Sequence, residues 1–240
     1  MGSIFRFKKF EVDQSYCAMK INTDGVILGA IASADDGLDT SKSLRCLDIG
    51  TGTGVIAMML AQRFQGALVD AVEIDEQAAV TAQRNFDNSP FAGHLNVHQT
   101  DISLFNIDRR YDLIVSNPPY FVNDLKNPEE KKRLARHADE RFFEGLVIKG
   151  AQLLAEQGLM WLILPVKQAD FVVERGLLHG LYLQREISIS SDASKPVIRK
   201  VIALSKVEHH LKQDRFYIYQ SEGVYTDAYK FLLKDFFLAF

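Results

Sequence analysis

Leu44-Arg45-Cys46-Leu47-Asp48-Ile49-Gly50-Thr51-Gly52-Thr53-Gly54 begins as an apolar run of strand length and ends in three alternate glycines. A run that short and apolar, interrupted by Asp48, predicts a buried strand over 44–49. The glycines free the main chain for a tight turn, and the apolar stretch Val55–Phe64 behind them predicts a helix. Leu68–Glu73 then reads as a second strand, ending on an acid. Strand, glycine turn, helix, strand is a unit that binds adenosine-containing cofactors. Its glycines admit the ligand close to the backbone, and a carboxylate at the second strand's tip takes the two ribose hydroxyls.

Working outward, the alternation persists. A helix over Gln77–Asn88 leads to a strand Leu95–Gln99 with Asp101 at its tip, and a further strand spans Tyr111–Ser116. A charged loop, 122–138, precedes a helix over 140–154, a strand Leu159–Leu164 and a helix Lys167–His179. Two β-rich runs, Leu181–Ser190 and Val197–Leu204, predict a hairpin around Ser191–Lys195. This pattern predicts one parallel α/β sheet with an antiparallel strand near its end. Upstream, residues 4–20 mix basic and aromatic side chains and read as an edge segment with aromatic anchors. Thr23 or Asp24 is placed to cap the apolar helix that follows, and 33–43 reads as a linker.

A chain of 240 residues with 47% hydrophobic content can bury a full core and suits one domain. Net charge is −3, so a nucleic-acid surface on this protein has to be a local patch. Two cysteines, Cys17 and Cys46, offer neither a disulfide framework nor metal-ligand spacing. With no apolar run of about 18 residues and no charged-then-apolar start, a cytoplasmic protein without membrane or metal is expected.

The strand Tyr111–Ser116 delivers Asn117-Pro118-Pro119-Tyr120. Proline fixes its own φ and holds the preceding residue extended, so Asn117 and Pro118 are both set in advance. The Asn117 side-chain oxygen and the Pro118 carbonyl are then two rigid acceptors beside an aromatic ring. Such a receptor suits an exocyclic or carboxamide amine, whose lone pair is delocalised. Two N–H acceptors favour the pyramidal nitrogen, which attacks an electrophilic methyl without prior deprotonation. Tyr120 is placed to stack on the ring bearing that amine.

Gly52-x-Gly54-x-x-Ala57 with Glu73 about 20 residues on also satisfies a dinucleotide fingerprint, which keeps a nicotinamide-dependent oxidoreductase open as a reading. Against it, Asp48 stands two residues before the first glycine, where a pyrophosphate gains nothing from a carboxylate. S-Adenosylmethionine has an α-amino group and no phosphate, and it carries the electrophilic methyl that the receptor requires. Asp101 at the third strand's tip suits its adenine amine, and three acids suit a cation better than a phosphate.

Asp48-Ile49-Gly50-Thr51-Gly52-Thr53-Gly54, Glu73-Ile74-Asp75 and Asn117-Pro118-Pro119-Tyr120 together resemble the motif set of class I S-adenosylmethionine-dependent methyltransferases acting on amino groups. With Met19-Lys20-Ile21-Asn22-Thr23-Asp24-Gly25-Val26 ahead of them, the chain is similar to the bacterial tRNA1(Val) adenosine-N6 methyltransferases, from about residue 5 to 207. The resemblance implies a Rossmann-like fold: a seven-stranded, mostly parallel sheet with one antiparallel strand and helices on both faces. Within a single domain 1–240, it implies an N-terminal segment 1–43 packing on the cofactor site, a core 44–207 and an extension 208–240 that matches nothing. It implies cofactor contacts at Asp48, Gly50, Gly52, Gly54, Glu73 and Asp101, with Thr23 and Asp24 at the methionine end. Asn117, Pro118, Pro119 and Tyr120 become the catalytic amine receptor, and tRNA the partner.

An adenosine in an anticodon loop must be extruded to reach such a receptor, and stacking on Tyr120, aided by Phe121, offsets that cost. Phosphate contacts call for Lys and Arg near the mouth. Lys131, Lys132, Arg133 and Arg136 follow the receptor, and Lys195, Arg199 and Lys200 lie at the predicted hairpin. Methylation of a glutamine carboxamide in a translation factor uses the same receptor and remains an alternative, as does a non-catalytic binding module.

Overall fold

The computed structural model describes residues 4–15, 17, 20–32, 42–119 and 130–240, with 130–138 described as backbone. A hairpin of β1 (Ile4–Arg6) and β2 (Glu11–Asp13) leads to α1 (Thr23–Ile31), β3 (Arg45–Ile49), α2 (Val55–Arg63), β4 (Leu68–Glu73), α3 (Glu76–Asp87) and β5 (Leu95–Gln99). There follow β6 (Tyr111–Ser116), α4 (Glu130–Leu153), β7 (Leu154–Leu164), α5 (Val166–Leu178), β8 (Tyr182–Ser190) and β9 (Val197–Ser205). The chain ends with β10 (Lys212–Tyr217), β11 (Tyr219–Ser221), β12 (Val224–Tyr225) and α6 (Asp227–Leu233).

Eight strands form the central sheet in the order β10-β8-β9-β7-β6-β3-β4-β5. β9 runs antiparallel to both β7 and β8, and every other pairing is parallel. The expected seven strands therefore become eight. The additional one, β10, comes from the stretch after residue 207 and pairs parallel with β8. Its sequence, Lys-Gln-Asp-Arg-Phe-Tyr, is exposed along much of its length, so it lacks the apolar period of a buried strand.

Side chains alternate across the sheet with the period of two that a pleated strand imposes. Leu113, Val115, Trp161, Ile163, Val201 and Ala203 face one core with α1 and α2, while Ile114, Met160, Leu162, Leu164, Ile202 and Leu204 face the other with α4 and α5. Both faces are covered, which explains why the central strands read as continuous apolar runs.

Three local expectations change. α1 is capped by Asn22, whose Oδ1 accepts from Gly25 N at 2.8 Å, and not by Thr23 or Asp24. α4 begins at Glu130, so residues 130–138 of the expected charged loop are helical. β7 begins at Leu154 rather than Leu159, because Tyr111 pairs with Leu154 while Leu113 pairs with Leu159, and the polar residues between are taken up in a bulge.

The two ends of the chain pack together. Phe7 and Phe10 are buried and stack at 4.5 Å between centroids, and Phe7 bridges to Phe237 beyond α6. Gln62 of α2 donates to the Asp235 carbonyl at 2.8 Å. Phe7 and Phe10 thus share one buried cluster with Ile218, Tyr229, Leu233 and Phe236 of the tail and with residues of α1 and α2.

Candidate active site

Strand order creates the site. β3 continues to β4 and β5 in one direction, whereas β6 lies on β3's other side, so the crevice at this reversal lies beyond the carboxyl ends of β3 and β6. Ile49 pairs with Ser116, and the Ser116 hydroxyl donates to the Ile49 carbonyl at 2.8 Å. One residue later Gly50 and Asn117 leave the sheet side by side.

A cavity of about 560 Å³ occupies this crevice. Gly50, Gly52, Glu73 and Asp101 line it together with Asn117, Pro118 and Pro119, so the glycine turn and the amine receptor share one space. Asp48, Gly54, Thr23 and Asp24 are not among its lining residues. Tyr120 and Phe121, and the side chains of Lys131, Lys132, Arg133 and Arg136, lie outside the described residues.

Asp48 is fully buried beneath the turn. Its Oδ2 accepts from Thr51 Oγ1 at 2.6 Å and from Ala57 N at 3.1 Å, so it joins the turn to α2, while Oδ1 has no partner. Burial pushes its carboxyl up to about 7, against the pull of the Thr51 and Ala57 hydrogen bonds and with a smaller push from Glu73. Gly54, at φ +84°, is the N-cap of α2, and a Cβ there would collide with the Phe86 ring, so packing rather than a ligand demands this glycine.

Glu73 is 8% exposed. Its Oε2 accepts from Gly52 N at 2.8 Å and its Oε1 from Asp75 N at 3.0 Å. Each oxygen keeps a second acceptor site, and the residue lines the cavity. Asp101 holds Ser103 N at 2.7 Å through Oδ1 and also lines it. Asn117 donates from Nδ2 to Asn22 Oδ1 at 3.4 Å, which ties the receptor to the start of α1. Gly25 permits this approach, since a Cβ on it would sit 3.3 Å from Asn117 Nδ2. Asp24 is held by Arg199, whose Nε donates to Oδ2 at 2.8 Å.

Several lining residues carried no sequence signal of their own. Ile74 and Ile102 follow Glu73 and Asp101, and Phe142 and Leu146 project from α4 to give the cavity apolar walls. Arg141 supplies a cation at its edge. Of the basic residues at the β8–β9 hairpin, Lys200 is committed to Asp170 at 2.8 Å and Glu186 at 2.9 Å, and Lys195 sits in the exposed turn.

S-Adenosylmethionine fits these residues. Gly50 and Gly52 hold positive φ, +73° and +56°, and a Cβ on either would meet nothing within 4 Å, leaving a cradle for a ligand beside the main chain. Glu73 and Asp101 offer acceptors for hydroxyls and an adenine amine, and Asp48 Oδ1 is an orphaned acceptor beneath the turn. An acid-rich lining suits a sulfonium and an amine, and a pyrophosphate poorly.

Known proteins match this arrangement. A family model described as "Methyltransferase small domain" matches residues 36–170. A tRNA1(Val) (adenine(37)-N6)-methyltransferase of Pedobacter heparinus is 54% identical over 240 residues, covering 100% of both chains. One of Parabacteroides distasonis is 41% identical over 237 residues, covering 98% of this chain and 97% of that protein. In fold, the chain is similar to the crystal structure of a predicted O-methyltransferase from Agrobacterium tumefaciens, with TM-score 0.65 and 19% identity over 88% of this chain and 95% of that one. A methyltransferase from Pyrococcus furiosus gives TM-score 0.58 and 22% identity over 82% and 90%. Matched over residues 36–170, a span that contains the glycine turn and the Asn-Pro-Pro receptor, the chain belongs to the methyltransferase small domain family.

Proposed function

We propose that the chain methylates the exocyclic N6 of an adenosine in tRNA, and that this adenosine is position 37 of tRNA1(Val), beside the anticodon. The observation that carries this reading is the shared cavity: Asn117, Pro118 and Pro119 face the same space as Gly50, Gly52, Glu73 and Asp101. The activity named for the relatives, 54% and 41% identical over nearly the full chain, supports the tRNA substrate.

When bound, S-adenosylmethionine would supply an electrophilic sulfonium methyl, the methyl–sulfur bond breaking as the new bond forms and the sulfur leaving as a neutral thioether. Glu73 would hold the ribose hydroxyls and Asp101 the adenine amine, and Asp48, beneath the turn, would act on the side of the α-amino group. The Asn117 side-chain oxygen and the Pro118 carbonyl each accept one N–H of the target amine, and the pyramidal nitrogen they favour has a localised lone pair. These acceptors are preorganised for charge that develops as the N–C bond forms, an effect worth about 3–4 kcal/mol per well-placed group. The nitrogen becomes acidic once alkylated and loses its proton to water, so no general base is required. Tyr120 follows the receptor prolines in sequence and is our candidate to stack on the extruded base, and Arg141 lines the cavity where an RNA phosphate would arrive.

The test is incubation of the chain and labelled cofactor with bulk tRNA and, separately, with release factors, followed by mass spectrometry of nucleosides and peptides. N6-methyladenosine in tRNA is expected. Label confined to a glutamine side chain would replace this reading with carboxamide methylation.

A further inference from the structure

A second cavity, of about 490 Å³, opens beside the loop that precedes β6 and the last turns of α4. The same helix serves both spaces. Arg141, Phe142, Gly145 and Leu146 line the first, and Lys149, Gln152 and Leu153, one to two turns further on, line the second. The loop is held in place from inside: Arg109 Nη1 reaches Asp70 Oδ2 at 3.3 Å, and the Tyr111 hydroxyl donates to the same oxygen at 2.7 Å. With Arg109 bonded to Asp70, Arg110 lines the cavity, and its Nη1 donates to the Arg109 carbonyl at 3.2 Å.

Lys149 lines the same cavity and is 9% exposed. Among the described residues, no acid stands in ion-pair reach of Lys149 or Arg110. Asp108 is the single acid among the lining residues, so Lys149 and Arg110 leave the space a net positive lining that favours an anion. The remaining lining offers groups that suit a nucleoside. Asn106 and Gln152 present carboxamides that can pair with base edges, Asp108 can accept from ribose hydroxyls, and Ile107 and Leu153 are apolar. The volume exceeds what a bare phosphate needs and lies in the roughly 300–1,000 Å³ range of small-ligand sites.

We infer that this cavity binds a phosphorylated nucleoside unit, its phosphate between Lys149 and Arg110. The unit is either a free nucleotide or one residue of a bound RNA.

The test is calorimetric titration of the full chain saturated with S-adenosylhomocysteine, with Asn117→Ala titrated in parallel so that binding at the amine receptor of the first cavity is separated from binding here. Adenosine monophosphate is expected to bind at least about tenfold more tightly than adenosine, and Lys149→Met and Arg110→Gln each to weaken it about tenfold. Unchanged S-adenosylhomocysteine affinity in both variants certifies their fold, and Arg110, on an exposed loop, keeps the test valid if Lys149→Met fails that check. Displacement of the monophosphate by tRNA assigns the unit to RNA, and its retention assigns it to a free nucleotide. Equal binding of adenosine and its monophosphate, or full monophosphate affinity in the well-folded variants, overturns the inference.

Discussion

Asn22 Oδ1 accepts hydrogen bonds from two places: Gly25 N at 2.8 Å, which caps α1, and Asn117 Nδ2 at 3.4 Å, which orients the amide of the receptor. One oxygen therefore links a helix start to a group placed for catalysis 95 residues away in sequence. Asn22→Ala should cost about 1 kcal/mol of stability from the lost cap, read by thermal unfolding. It should also lower kcat with little change in cofactor affinity. Asn117→Ala should lower kcat by about 10²–10³, the effect expected from removing one preorganised partner, and combining the two should add little to Asn117→Ala alone. Additive losses in the double variant would separate the cap from the receptor.

The glycines of the turn divide by cause. Gly50 has positive φ and open space where a Cβ would stand, whereas Gly54 has positive φ and the Phe86 ring there. Gly50→Ala should weaken cofactor binding by at least about tenfold, because the methyl enters the cradle and the backbone is strained at about 1–2 kcal/mol. Gly54→Ala should lower the unfolding temperature more than Gly50→Ala does. Calorimetry with S-adenosylhomocysteine and thermal unfolding of each variant separate the two roles.

Much of this division was invisible in the one-dimensional pattern. Asp48, Gly50, Gly52 and Gly54 stand together in one motif, yet the strand end brings Gly50 and Gly52 to the cavity and leaves Asp48 and Gly54 to build the turn. Strands β4, β5 and β6 were legible to the residue, since buried parallel strands are short apolar runs with clear stops. β10 was not, because its polar edge sequence acquires its form from pairing with β8. The apolar cavity walls Phe142 and Leu146 were equally hidden: on a helix they look like ordinary core positions until α4 is laid across the crevice.

Asp48 gives the stability of the ligand-free protein a pH dependence whose sign can be worked out. Its carboxyl is raised to about 7 from an ordinary 3.8, chiefly by burial. The native state keeps a proton that the unfolded chain has already released, so stability from this group is full below pH ~4 and is lost as pH rises through ~7. Asp48→Asn preserves an acceptor for Thr51 and Ala57 and does not titrate. Urea unfolding should therefore show wild type losing ground to Asp48→Asn between pH ~4 and ~7, at a limiting slope of about 1.4 kcal/mol per pH unit, and the difference levelling off above that. A difference that stays constant across that range would mean Asp48 is ionised throughout.

Lys195 and Lys200 are five residues apart at one hairpin and should behave oppositely. The Lys200 side chain is 17% exposed and bridges Asp170 on α5 to Glu186 on β8, so its charge is spent inside the fold. Lys200→Met should lower stability, by less than the roughly 3 kcal/mol of a fully buried pair because Asp170 is open to water. It should leave the salt dependence of tRNA binding unchanged. Lys195, in the exposed turn at the same sheet edge as the active site, is placed to meet a phosphate. Lys195→Ala should leave the unfolding temperature within error and reduce the slope of log K against log salt by about 1, measured by titration of tRNA at several KCl concentrations. An unchanged slope in Lys195→Ala would place the RNA path away from the hairpin and toward Arg141, the cation that lines the cavity itself.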